Sequence, residues 1–234
     1  MRPLVQFTKL YATQHALRHL NLRALLRSYS SPHHFRFKHA CPHLPGRIIQ
    51  IRFHGPLGFV YQPAFITREE ESALLDIIRA LPLQEAKFQQ YTARRRTVRY
   101  GTEYDPRAKA PDQAPGIPEF LFPLRDKVAR WIALPAESFV HGLVTKYRLG
   151  TPLGWHRDSP EYEAIAGVSL GAACRMRLRP YQPDERHKKE DVISLELEPR
   201  SAYQIRDKPR WGWQHSIAAT KQLRYSIMFR TARR

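Results

Sequence analysis

The residues best suited to chemistry lie in two pieces, Gly154-Trp155-His156-Arg157-Asp158 and Leu223-Arg224-Tyr225-Ser226-Ile227-Met228-Phe229-Arg230, with His215 between them. In an extended segment alternate side chains share a face, so His156 and Asp158 project the same way. Two imidazoles and one carboxylate, with the remaining coordination positions open, form the facial triad that suits non-haem Fe(II). A His-x-Asp pair alone is commonly a surface or capping element. The metal reading gains from order, because a distal histidine and then an Arg-x-Ser strand follow it.

Read with a period of two, Tyr225, Ile227 and Phe229 make one apolar face of the second piece, and Arg224, Ser226, Met228 and Arg230 make the other. A guanidinium facing a barrel interior is costly unless it is paired and hydrogen-bonded. A small dicarboxylate would satisfy it, since arginine grips a carboxylate with two parallel bonds. The turn-like Ala218-Ala219-Thr220-Lys221-Gln222 separates His215 from Arg224, so a hairpin could bring them together. Six residues of strand span roughly 20 Å. Arg224 and Arg230 must therefore lean towards each other to touch one ligand.

These pieces resemble the AlkB family of Fe(II)- and 2-oxoglutarate-dependent dioxygenases, in His156-x-Asp158, the distal His215, and Arg224 and Arg230. Bacterial members show similar text around Gly167-Val168-Ser169-Leu170, Pro199-Arg200-Ser201-Ala202-Tyr203 and Gln214-His215-Ser216-Ile217. The likeness runs from about Ile49 to Arg230. It implies Fe(II) held by His156, Asp158 and His215 as metal ligands and catalytic centre, with 2-oxoglutarate as cosubstrate and dioxygen as oxidant. Arg224, Ser226 and Arg230 would hold the cosubstrate, with Thr145 and Tyr147 on the strand entering the metal segment. Many relatives carry Asn where this chain has Thr145, and a core tyrosine is the plain alternative for Tyr147.

The activity implied is oxidative demethylation of N-alkylated bases in DNA or RNA, with release of formaldehyde and succinate. The family's nucleotide-recognition region corresponds to Arg94-Arg95-Arg96-Thr97-Val98-Arg99-Tyr100-Gly101-Thr102-Glu103-Tyr104. Charge for phosphates and flat rings for bases occur together there. Arg95, Arg96, Tyr100 and Tyr104 are the expected nucleic-acid contacts, against the alternative of a solvated strand whose tyrosines pack on helices. Relatives acting on cationic bases often carry a further acid just after His-x-Asp. Here Ser159-Pro160-Glu161 follows, and Glu161 is expected to turn inward in its place. A 2-oxoglutarate oxygenase acting on a protein side chain, and a non-catalytic nucleic-acid-binding module, are the other two classes.

Composition agrees with a nucleic-acid partner. Lys and Arg number 39 against 21 Asp and Glu, a formal charge of +18, which favours polyanions. Cys41 and Cys174 are too few for a disulfide framework and form no zinc pattern, which points to a reducing compartment. No apolar run is long enough to cross a bilayer, so no membrane partner is expected. A cytoplasmic monomer is the default.

Residues 1–46 read as a basic, poorly ordered extension, with residues 47–234 as the dioxygenase domain. The absence of any acidic residue before Glu69 also fits a mitochondrial transit peptide. Alternation over Ile48–Phe53 predicts an opening strand. Thr67-x-x-Glu70 is a capping box for a helix to about Arg79, with Leu74, Leu75, Ile77, Ile78 and Leu81 inward. A second helical region covers 119–133, interrupted near Pro123, and the proline-rich stretch 105–118 reads as loop. Strands are expected over 139–147, 167–171, 175–179, 192–197, 202–205, 213–217 and 223–230. Trp211 and Trp213 would then share the face of His215. Together these predict an α+β, mainly β fold, a double-stranded β-helix (jelly roll) with covering N-terminal helices.

Overall fold

The computed structural model describes residues 56–88, 91–105, 110–113, 115–182 and 189–233. The basic segment 1–46 and the strand expected over 48–53 lie outside them. Two antiparallel sheets face each other. The larger runs β1 (Phe59–Gln62), β10 (Ala202–Ile205), β7 (Tyr162–Leu170), β12 (Arg224–Ala232), β5 (Phe139–Tyr147), β3 (Tyr91–Asp105) and β2 (Gln84–Phe88), and β4 (Ala110–Gln113) pairs off β3. The smaller runs β6 (Leu153–His156), β11 (Trp213–Ile217), β8 (Cys174–Pro180) and β9 (Ile193–Leu197). This is the expected jelly roll.

The alternation of β12 sets the layers. Tyr225, Ile227 and Phe229 join Val144, Ala166, Val168 and Leu170 in a core that α1 (Arg68–Ala80) and α2 (Phe122–Ile132) cover. The opposite face, with Met228 and Ile165, packs on Met176, Leu178, Leu197 and Ile217 of the smaller sheet. The Thr67 capping box is present: Thr67 Oγ1 accepts from the Glu70 amide, and a Glu70 carboxylate oxygen accepts from the Thr67 amide. Glu70 also takes two hydrogen bonds of 2.8 Å from Lys127, so one carboxylate both starts α1 and ties it to α2.

Several expectations need correction. Ile77 is 41% exposed, and only Leu74 and Ile78 of α1 are fully inward. Pro123 does not interrupt a helix. It stands in the first turn of α2, where its missing N–H is harmless, just after a 3-10 turn over Glu119–Leu121. The proline-rich stretch includes β4, whose Pro111 is tolerated because, among the described residues, β4 bonds to β3 alone. A short helix, α3 (Asp207–Gly212), takes Trp211 off the strand that carries His215.

Two glycines fix close approaches. Gly101, at φ +83°, bends β3 where any Cβ would collide with the Val140 carbonyl oxygen. Gly167 pairs with Tyr203, and a Cβ there would overlap the Tyr203 ring, itself buried beside Phe59. Gly167→Ala is expected to destabilise the chain by about 1–3 kcal/mol through overpacking. Denaturant unfolding of Gly167→Ala, Tyr203→Leu and the double variant checks this. Relief in the double variant is expected, and additive losses would place the strain elsewhere.

Candidate metal and cosubstrate site

The site is built by one cross-strand pair and one loop. His156 closes β6 directly opposite His215 on β11, and the ring centroids are 4.2 Å apart. The chain leaves β6 after His156, and Asp158 turns back with its side chain only 2% exposed. Asp158 Oδ1 is 3.4 Å from His156 Nε2 and 3.7 Å from His215 Nε2. One ligand atom from each residue lies within 4.8 Å of the other two, the convergence a single ion requires.

Protonation suits the same purpose. His156 Nδ1 lies 2.9 Å from the Gly154 carbonyl oxygen, so Nδ1 carries a proton and Nε2 is the atom turned towards Asp158 and His215. Burial, with His156 beside it, drives the His215 imidazole down to about 3, so it is neutral. Burial alone would raise the Asp158 carboxyl. The Arg230 guanidinium outweighs that and holds it well below the usual carboxylate range. The donor set is thus two imidazole nitrogens and an ionised oxygen, the chemistry that fits Fe(II).

Arg230 is tied to a metal ligand. Its Nε donates to Asp158 Oδ2 at 2.9 Å, which leaves Oδ1 to the imidazoles. Its Nη1 donates to His141 Nδ1 at 3.1 Å. It therefore supports the ligand carboxylate at one end of β12.

Arg224 stands at the other end of the same face, 1% exposed. Its Nε donates to Ser169 Oγ at 3.2 Å, and its guanidinium lies 4.9 Å from the centre of the Tyr147 ring. Tyr147 and Thr145 stand opposite Arg224 and Ser226 in the β5–β12 register, and all four are buried. Yet Arg224 Nη1 is buried without a partner among the described residues. A buried guanidinium with an unused donor, ringed by hydroxyls, fits the carboxylate of a dicarboxylic acid.

The residues expected to meet nucleic acid separate by strand face. The β3–β5 register aligns Thr97 with Thr145 and Tyr100 with Gly142. Arg95, Thr97 and Arg99 therefore share the inner face with the site. Arg95 is half-buried there. Arg96 and Tyr100 turn to the helix side. Arg96 pairs with Glu85 at 3.6 Å. Tyr100 is 8% exposed, edge-on to Phe120, and is a core tyrosine and not a base platform. The side chain of Tyr104 lies outside the described residues. Glu161 does not turn inward either, because its carboxylate accepts the Ser159 hydroxyl on the exposed side of the turn.

Three supporting residues escaped the sequence reading. His141 is 1% exposed and backs Arg230; burial, Arg230 and Arg99 drive it down to about 3. Its spacing of two from Leu143, Thr145 and Tyr147 was the available signal. Ser169 anchors Arg224. Arg210 of α3, 3% exposed, donates to the Tyr162 and Ser159 carbonyl oxygens and pins the turn after Asp158.

The comparisons with known proteins agree with this geometry. The chain is 33% identical over 81 residues to uncharacterized protein L905 of Acanthamoeba polyphaga mimivirus, a match covering 34% of this chain and 36% of that protein. The chain thus spans about a third of that relative's length. The solved structure of OsALKBH1 superposes with a TM-score of 0.54 at 16% identity, over 74% of this chain and 98% of that one, which is a likeness of fold. The family model of the 2OG-Fe(II) oxygenase superfamily matches residues 58–233, a span that holds all three ligands and Arg224. With three converging ligands and a buried guanidinium inside that match, the chain belongs to the 2OG-Fe(II) oxygenase superfamily.

Proposed function

We propose that the chain is an AlkB-like, Fe(II)- and 2-oxoglutarate-dependent oxidative demethylase of N-alkylated bases in DNA or RNA. The observation that carries the reading is the three-ligand cluster lying on one inner face with a buried guanidinium that has an unused donor. A metal kept only for structure would leave Arg224 unexplained. The excess positive charge, and Arg95 and Arg99 on the strand beside the site, favour a polynucleotide over a protein substrate.

Fe(II), with 2-oxoglutarate and dioxygen, supplies the oxidation of the N-methyl group, leaving succinate, carbon dioxide and formaldehyde. The chain's own residues supply placement and charge. His156 and His215 offer imidazole nitrogens, and Asp158 is kept ionised by Arg230. Arg224, Ser226, Thr145 and Tyr147 receive the distal carboxylate of the cosubstrate. Leu143 and Met228 line the inner face between the two ends and help exclude water. A target base in a duplex must be extruded to reach this depth.

Formaldehyde release is expected from part of a panel of N-methylated DNA and RNA oligonucleotides, and none from His156→Ala. Turnover of 2-oxoglutarate to succinate with no formaldehyde from any member would overturn the substrate assignment. Arg224→Met is expected to raise the KM for 2-oxoglutarate roughly ten- to hundredfold, since a charge-assisted hydrogen bond contributes about 1.5–3 kcal/mol. An unchanged KM with lowered stability would make Arg224 a packing residue.

Burial of His141 and His215 also sets a pH dependence. Their imidazoles titrate near 6.5 when unfolded and at about 3 when folded. The unfolded chain therefore takes up protons first as pH falls. In the metal-free protein their contribution to stability is full above pH 6.5 and is lost progressively towards pH 3. Urea midpoints measured at about pH 7.5 and about pH 5 should show the loss, and His141→Phe should shrink it.

A further inference from the structure

The smaller sheet has a second face that the metal site does not use. Along β8, Met176 and Leu178 enter the core between the sheets, so Arg175, Arg177 and Arg179 project outward. On β6, His156 turns inward and Trp155 outward, beneath two of these arginines. The Arg177 and Arg179 guanidiniums lie 5.0 and 4.3 Å from the centre of the Trp155 ring. Strand neighbours fix both: Arg177 Nε donates to Ser216 Oγ at 3.0 Å, and Arg179 Nε and Nη2 donate to Gln214 Oε1 at 3.0 and 2.8 Å. Arg157, between two metal ligands, stacks 3.7 Å above the Tyr181 ring.

This arrangement concentrates positive charge without an acidic partner among the described residues. Arg177 and Arg179 stand two residues apart on one strand, about 7 Å. None of Arg157, Arg175, Arg177 and Arg179 forms an ion pair with a described residue, although Glu196 stands across from Arg175 in the β8–β9 register. Burial first, and the neighbouring Arg177 second, push the Arg179 guanidinium below its ordinary value. Like charges held at this spacing by fixed hydrogen bonds and an indole are preorganised for an anion of repeating charge. The row begins at Arg157, beside the metal ligands, so a chain lying along it is continuous with the site.

We propose that the outer face of the smaller sheet, Arg157, Arg175, Arg177 and Arg179 around Trp155, docks the polynucleotide backbone flanking the target base. The proposal rests on the nucleic-acid reading above and adds to it a surface behind the metal, away from β3. Fluorescence anisotropy of labelled single-stranded DNA and RNA 20-mers, titrated with the full chain across a range of salt, tests it. Two charge-matched variants are compared: Arg175→Gln/Arg177→Gln/Arg179→Gln on this face, and Arg68→Gln/Arg79→Gln/Arg130→Gln on the helices.

The face variant is expected to lose at least about tenfold in affinity near 0.1 M salt. Its slope of log K against log salt should fall by about two, because each phosphate neutralised on a single strand contributes about 0.7. The helix variant should keep the wild-type slope. Should the triple variant melt early, Arg179→Gln alone, with an expected slope change of about 0.7, takes its place. Equal losses in both triple variants, or no loss in the face variant, overturn the proposal while the nucleic-acid reading stands. Loss confined to vesicles containing phosphatidylserine also overturns it, assigning the face to a membrane. Wild-type protein that binds no oligonucleotide at any salt overturns the nucleic-acid reading itself.

Discussion

The bond between Arg230 and Asp158 is the constraint around which the site is arranged. A carboxylate removed from water between two imidazoles would otherwise take up a proton or draw one of the rings into the charged state. One guanidinium prevents both outcomes. It keeps the charge on Asp158 and occupies the oxygen that faces away from the histidines. The His215 imidazole can then remain neutral in a buried place, which is what ligation asks of it. Breaking this bond would leave a buried charge without its partner, a far larger loss than the bond's net contribution to folding.

Three buried arginines show how the fold meets one difficulty in different ways. Arg210 spends its donors on carbonyl oxygens and holds a turn in place. Arg230 is satisfied by an acid and a neutral histidine. Arg224 alone keeps a donor in reserve. The contrast gives the reserve its meaning, because the other two buried arginines direct their guanidiniums to acceptors of the chain itself.

Legibility in the sequence followed the strength of the local pattern. The two faces of β12 could be read from alternation, and the bounds of β5, β10 and β11 from their apolar runs. The metal ligands were legible because they combine residue type with a spacing of two. Tyr100 was misread because the arginines around it drew attention to charge, while the register put it with Val98 against the helices. His141 was overlooked as a lone histidine in an apolar strand. Helix α3 escaped because six residues containing Pro209 show no period, so its tryptophan was counted with the strand that follows. The mutual distance of Arg224 and Arg230 depended on tertiary packing, and spacing alone could not say that each would find its own partner.

The position of β12 carries a consequence for assembly. It hydrogen-bonds to β5 on one side and β7 on the other, yet it comes after both along the chain. During vectorial synthesis β5 and β7 must wait with open edges until the strand that separates them emerges. Closure of the sheet is therefore a late, long-range event, and such pairing is slow and exposes strands to misassociation. Because both guanidiniums that define the ends of the site travel on that strand, competence to bind iron and cosubstrate arrives with the final insertion.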